Sequence, residues 1–194
     1  MNASSTLAPI ANEIKDEEAT LVREAQNDPS AFQALYDRWV VPTFQYFYFR
    51  TLDVSTAEDL TSQLFLAVYQ SLAHYRHQGH FASWLFTIAR NLANKEYRNN
   101  RHEVSIELAH NLVSKSDPSD EYGQKEEIES LNLLIRSLPM KEQELIRLRY
   151  AAGLSFSEMA IVLHKREDAV KKSIYRLQSK LKSQMEEENG QNNG

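Results

Sequence analysis

Residues 153–182 read GLSFSEMAIVLHKREDAVKKSIYRLQSKLK, and the way this stretch distributes its apolar side chains decides the fold. Ser155 stands at a helix N-cap with Glu158 three residues on, the reciprocal arrangement in which each side chain satisfies a backbone donor of the other. Leu154 and Met159 flank that box as its hydrophobic staple. Ala160 is small and lets a second helix approach closely. The pattern breaks at His164, Lys165 and Arg166, then resumes as Val170, Ile174, Leu177 and Leu181, an apolar stripe at helical spacing. The opposite face carries Lys171, Lys172, Tyr175, Arg176, Ser179 and Lys180. A short helix, a three-residue turn and a second helix with an apolar back and a cationic front make a helix-turn-helix. That front, together with Lys165 and Arg166, has the charge and hydrogen-bonding groups that a DNA major groove requires. Where such turns often hold Gly this one has His164, a residue that tolerates positive φ better than most.

Working outward, the apolar period stays helical and Gly and Pro fall where helices should break. Before the motif, helices are expected at about 124–137 and 140–151, the latter opened by Pro139. The stretch SKSDPSDEYG within Asn111–Gly123 is turn-rich and acidic, a linker by composition. Further back, Leu60, Leu64, Val68 and Leu72 recur every four residues, one face of a helix over about 56–72. Ser55 and Glu58 before them have the spacing of another capping box. Asp28 and Pro29 read as N-cap and first turn of a helix carrying Phe32, Leu35, Tyr36 and Trp39. Pro42 removes a backbone donor and should kink or end it. A last helix runs from about Ala82 to Arg101 with Leu85, Ile88, Ala89 and Leu92 inward. The fold class expected is all-α, two small helical domains joined by an acidic linker: an N-terminal extension over 1–20, a first domain over 21–102, the linker over 103–124, the helix-turn-helix domain over 125–185, and a tail over 186–194.

Composition bounds the function. The chain has 194 residues, 42% apolar and 25% charged, the balance of a globular protein. It contains no Cys, which excludes disulfides, Cys-ligated zinc, iron–sulfur clusters and thiol nucleophiles. The first residues show neither a basic nor an apolar signal-peptide region, and no apolar run approaches the length of a membrane span, so a cytoplasmic protein is expected. The net charge of −5 is unevenly laid down: residues 31–102 carry +2 and 131–185 carry +6, whereas 103–130 carry −6. Two basic blocks flank one acidic block, as in two modules that meet nucleic acid and a strap that avoids it.

Three signatures then occur in order: AEDLTSQLF from Ala57, FASWLFTIARN from Phe81, and LPMKEQELIRLRYAAGLSFSEMA from Leu138. In that order and spacing they resemble a bacterial extracytoplasmic-function (ECF) sigma factor, over about residues 21–102 and 125–185. The first block resembles sigma region 2 and the second region 4, with the acidic linker in place of the region between them in longer sigma factors. The resemblance implies a non-enzymatic initiation subunit of RNA polymerase without cofactor, whose partners are the β and β′ subunits of the core enzyme, promoter DNA and an anti-sigma factor. It places polymerase contacts on the 56–72 helix, where Asp59, Ser62, Gln63 and Leu66 lie off the buried stripe. The common Gln-Glu pair of the family is Ser62-Gln63 here. The loop from Tyr75 to Phe81 and the helix after it correspond to the part that opens and reads the −10 element. Holding separated strands needs flat rings and cations. Tyr75, Phe81 and Trp84 supply rings, and Arg76, Arg90, Lys95, Arg98 and Arg101 supply charge. His77, Gln78, His80 and Asn91 add hydrogen-bonding groups, and the helix-turn-helix face would read the −35 element.

Several of these features have plainer readings. Trp84 and the run TFQYFYFR at 43–50 are expected in the core. His74, His77 and His80 are spaced by three, but Gly79 interrupts any helix and no carboxylate stands beside them, so no metal is expected. The acidic linker is either a solvated tether or a nucleic-acid mimic in the polymerase cleft. The alternative function is a stand-alone helix-turn-helix regulator whose N-terminal half senses or dimerises, which would bind duplex DNA tightly without polymerase.

Overall fold

The computed structural model describes residues 7–76, 80–103, 131 and 133–192, with side chains described for 17–76, 80–98, 131 and 133–186. Helix α1 spans Leu7–Asn27 and therefore crosses residue 20 without a break; Val22 and Ala25 are buried against the bundle. Asp28 caps a single 3-10 turn, Pro29–Ala31, by accepting the Ser30 N–H at 2.9 Å. The Ser30 hydroxyl, which donates to the same carboxylate at 2.6 Å, and then that backbone bond hold the Asp28 carboxyl below the usual carboxylate range. Helix α2 follows over Phe32–Thr51.

Pro42 does not end α2. The helix continues through it to Thr51 because Tyr46 and Phe47, one turn on, are completely buried in the core. Next to the missing donor, the Thr43 hydroxyl donates to the Trp39 and Val40 carbonyls at 2.7 and 3.0 Å. Helix α2 stops at Leu52, which takes a left-handed conformation at φ 58° and donates its N–H to Tyr48 O. Helix α3, Val54–Leu72, is capped by Asp53, whose carboxylate accepts the Thr56 N–H at 2.7 Å. The cap thus lies two residues before the Ser55 that the sequence singled out, because the chain reverses at Leu52 and the first free donors face Asp53. Helix α4 spans Phe81–Glu103.

In the C-terminal half, residues 133–137 are helical and α5 covers Met140–Ile146, widening into a π-helical turn over Arg147–Ala151. Gly153, at φ +71°, lets the chain fold back so that Leu154 N–H reaches Leu148 O at 3.0 Å. Helix α6 is Phe156–Leu163 and α7 is Glu167–Asn192. The described residues contain no strand. None of their helices is long and apolar enough to cross a membrane.

The core is one contiguous cluster. Leu60, Leu64, Val68 and Leu72 of α3 form the expected stripe against Phe47, Leu85 and Phe86, and Tyr46 meets Phe86 edge-on at 5.6 Å. Each such ring withdrawn from water contributes about 2–3 kcal/mol. The same cluster includes Leu145, Leu148, Met159 and Val162 from the second half, so α5, its π turn and α6 are packed directly on α2 and α4.

Candidate nucleic-acid interface

Helix α7 has the two faces its sequence requires. Val170, Ile174 and Leu177 are buried against α6, while Lys171, Lys172, Tyr175, Arg176, Ser179 and Lys180 are all exposed. The α6–α7 turn is set by the capping box. Ser155 Oγ accepts the Glu158 N–H at 3.3 Å, and the Glu158 carboxylate accepts the Ser155 N–H at 2.8 Å. Leu154 and Met159, the staple, are buried. His164 closes α6 at φ 52°, the left-handed value the turn requires, and leaves Lys165 and Arg166 exposed at the mouth of the face. Arg149 stacks its guanidinium 4.7 Å from the Phe156 ring centre and donates to Leu154 O, fixing the entry into α6.

The second group of candidates lies around α4. Asn91, Lys95 and Arg98 recur at i, i+4 and i+7 and are exposed on one side of the helix, with Trp84 one and a half to two turns before Asn91 on the same row. Trp84 is half-buried in a three-ring cluster with Tyr75 at 4.6 Å and Phe81 at 5.7 Å. Phe81 is itself buried, so its ring serves the core, and Trp84 and Tyr75 cover it. Gln26 of α1 steadies the start of the loop by donating to Leu72 O at 2.9 Å and Tyr75 O at 2.6 Å. Arg76 and His74 are exposed and His80 is half-buried; His77, Gln78 and Gly79, and the Arg101 side chain, lie outside the described residues. Of the run at 43–50, Thr43, Tyr46 and Phe47 are buried and Phe49 is exposed.

The third group is on α3. Asp59, Ser62, Gln63 and Leu66 are exposed together, Leu66 by 58%. Beside them an open groove between α2 and α3 is lined by Tyr36, Val41, Phe44 and Thr61.

Arg90 departs from the expected surface. It turns away from the Asn91 row toward Glu144 of α5, with its Nε 3.5 Å from Glu144 Oε1. Glu144 is buried, and two more guanidinium groups reach it: Arg50 donates to Oε2 at 2.5 Å, and Arg147 Nη1 stands 3.7 Å from the same oxygen. Tyr46 donates its hydroxyl to Oε1 at 2.8 Å, and Arg50 also donates to Asn94 Oδ1 at 2.6 Å. Burial holds the Tyr46 phenol well above its ordinary range and pushes Arg147 down.

Sequence reasoning missed this cluster, although one signal for it was present. Glu144, Leu148 and Ala152 share an i, i+4, i+8 row, a charge on an otherwise buried stripe. Glu18 repeats the pattern with Val22 and Ala25 on α1. Its carboxyl is pushed up to about 7, chiefly by burial and further by Glu158 of α6. Arg38 is the main opposing influence, with Trp39 and the Ala82 backbone acting the same way.

Comparison with known proteins agrees with this arrangement. The Sigma-70 region 2 family matches residues 35–103, and the Sigma-70, region 4 family matches residues 128–181. The chain is 35% identical over 161 residues to the ECF RNA polymerase sigma factor BldN of Streptomyces coelicolor, covering 80% of this chain and 61% of that protein. It is 28% identical over 141 residues to the probable RNA polymerase sigma factor RfaY of Xanthomonas campestris, covering 70% of this chain and 35% of that one. The chain thus spans less than two thirds of the length of either relative. Among solved structures, CnrH in complex with the cytosolic domain of CnrY shares the fold, with a TM-score of 0.65 at 22% identity over 86% of this chain and 96% of that one. The sigma factor RpoE of Bartonella quintana, in complex with the anti-sigma factor NepR, matches with a TM-score of 0.59 at 19% identity over 78% of this chain and 94% of that one. With both sigma regions matched in order on a helical frame that carries a region-4 helix-turn-helix, the chain belongs to the sigma-70 family, in its ECF group.

Proposed function

We propose that the chain is a dissociable initiation subunit that binds core RNA polymerase and directs it to promoter DNA. The observation that carries this reading is α7, whose buried apolar back fixes an exposed face of Lys171, Lys172, Tyr175, Arg176, Ser179 and Lys180 in the orientation a major-groove reader needs. Lys165 and Arg166 approach the flanking phosphates, and this face takes the −35 element. The Asn91–Lys95–Arg98 side of α4, with Trp84, Tyr75 and Arg76 at its head, takes the −10 element. Asn91 contacts a base edge, the cations hold the backbone, and the half-buried rings stack an unpaired base. His77, Gln78 and His80 of the loop would line the pocket for that base, while Phe81 supports the two covering rings from the core. Asp59, Ser62, Gln63 and Leu66 dock on the polymerase. The chain supplies no chemistry of its own; nucleotide joining belongs to the polymerase, and the work is done in the cytoplasm. An anti-sigma factor is a further partner in this reading, since the RpoE neighbour is seen with one.

Transcription from a promoter library, reconstituted with core polymerase, tests the reading. Isolated chain should bind duplex promoter weakly, and core polymerase should create specific binding by fixing the distance between the two modules. Replacing residues 76–80 by Gly and Ser should leave polymerase and −35 binding nearly intact but abolish opening at the −10 element, read as permanganate reactivity of thymines. Pre-opened templates should restore much of the lost transcription. Tight sequence-specific binding without polymerase would instead favour a stand-alone regulator.

A further inference from the structure

The loop that opens onto the −10 face is fastened at its entry by a side chain from α1. Helix α3 ends at Leu72, where the last carbonyls have no partner within the helix. Ser71 O takes the His74 N–H at 3.0 Å, and Leu72 O takes the Tyr75 N–H at 3.0 Å. Gln26 adds a long-range bond to each side of that turn. Its Nε2 donates to Leu72 O at 2.9 Å and to Tyr75 O at 2.6 Å, across 46 and 49 residues of chain. An amide nitrogen carries two N–H groups, one for each of these carbonyls. Gln26 is held in place by its neighbours on α1, since Ala25 beside it and Val22 one turn earlier are buried in the core.

Gln26 thereby holds the backbone of a residue that carries one of the base-stacking rings. The Tyr75 ring lies 4.6 Å from Trp84 with 34° between their planes, and 5.7 Å from Phe81 at 83°. Packing among the rings fixes how deep Tyr75 sits. A directional bond to its carbonyl fixes the course on which the chain leaves it, and the next residue is the exposed Arg76. At the far end of the loop the Trp84 N–H reaches His80 O at 3.1 Å, and Phe81 is buried. The exit is therefore set by α4 itself, and the entry by α1 through Gln26. A loop that DNA had to order would hold an extruded base less tightly, because ordering adds to the cost of unstacking.

We propose that Gln26 is a positioning residue for the −10 element: its two hydrogen bonds hold Tyr75 and Arg76 in the conformation that receives the extruded base. It touches no DNA and acts through Tyr75. What α3 and Tyr75 require at this place is a pair of donors, since both groups to be satisfied are carbonyls and the C-terminal end of α3 is the negative end of its dipole. The inference rests on the initiation reading for its purpose, whereas the anchoring is a property of the free chain.

Three variants of the full chain separate donors from shape. Gln26→Met keeps the length without a donor, Gln26→Glu keeps the shape but offers only acceptors, and Gln26→Lys supplies donors and a charge suited to a helix C-terminus. With core polymerase, permanganate reactivity of −10 thymines per bound promoter should fall about tenfold in Gln26→Met, the loss expected for two hydrogen bonds. Gln26→Glu should fall further, and Gln26→Lys should stay within about twofold of the unmodified chain. Polymerase affinity and −35 binding should hold in all three, and pre-opened templates should restore transcription. In the free chain, which has two Trp, a Trp39→Phe background leaves Trp84 as the reporter. Its quenching by acrylamide should rise in Gln26→Met and not in Gln26→Lys. If Gln26→Glu loses helix content by circular dichroism, the other two variants decide. Undiminished opening by Gln26→Met, Gln26→Lys as poor as Gln26→Met, or an equal loss of polymerase and −35 binding overturns the proposal. If the unmodified chain opens no promoter with polymerase, the initiation reading fails. Raised quenching in Gln26→Met then still supports the anchor, and unchanged quenching overturns it as well.

Discussion

Glu18 gives the chain a stability that depends on pH in the direction opposite to an ordinary ion-paired carboxylate. Its carboxyl is 6% exposed among Arg38 and Trp39 of α2, the Ala82 backbone of α4 and Glu158 of α6. Burial and the neighbouring Glu158 charge raise it from 4.5 to about 7, against the pull of Arg38. Between those values the folded chain holds a proton that the unfolded chain has released, so stability falls as pH rises through this window. The contribution is fully present below 4.5 and is gone above about 7. The gap corresponds to about 3 kcal/mol as a ceiling. Glu18→Gln keeps the size and stays neutral throughout, so it should lack this decline. Urea unfolding of both chains from about pH 4.5 to pH 8 isolates the effect, because every other titrating group cancels in their difference. The variant should gain up to about 3 kcal/mol on the unmodified chain across the series, and the gain should level off above neutral pH. A difference that stays constant with pH would refute the reasoning.

Other substitutions test the elements that position the interface. Ser155→Ala removes the hydroxyl that accepts the Glu158 N–H, leaving only the backbone half of the α6 capping box, and should cost about 1 kcal/mol in thermal unfolding. His164→Val places a β-branched side chain at a left-handed turn and should cost about 1–2 kcal/mol, whereas His164→Gly should be close to neutral. Arg176→Ala should relax one upstream base position by about 1–3 kcal/mol in binding by the polymerase complex. Lys180→Ala should weaken all upstream sequences alike and flatten the salt dependence; identical behaviour of the two variants would remove the assignment of Arg176 to base readout.

Apart from α1, of which residues 7–20 fall in the expected N-terminal extension, the sequence by itself determined which stretches are helical and which faces of them are apolar, because both are local properties. A stripe such as Leu60, Leu64, Val68 and Leu72 or Val170, Ile174 and Leu177 repeats with the helix period wherever it occurs. The Ser155–Glu158 box and the left-handed His164 were legible for the same reason, since their partners lie within three or four residues. Tertiary structure decided the rest. Pro42 is carried inside α2 because Tyr46 and Phe47 are anchored in a core built from three other helices, and the start of α3 falls at Asp53 because of how the chain turns at Leu52. Glu144 and Glu18 each stand on an apolar row, which marks them as out of place but names no partner. Arg50 and Arg90 lie 94 and 54 residues from Glu144 in the chain, and no periodic pattern connects positions so far apart. Only the packing of α5 and α6 on α2 and α4 brings those charges together, and it does so because Leu145, Leu148, Met159 and Val162 leave water in the same step.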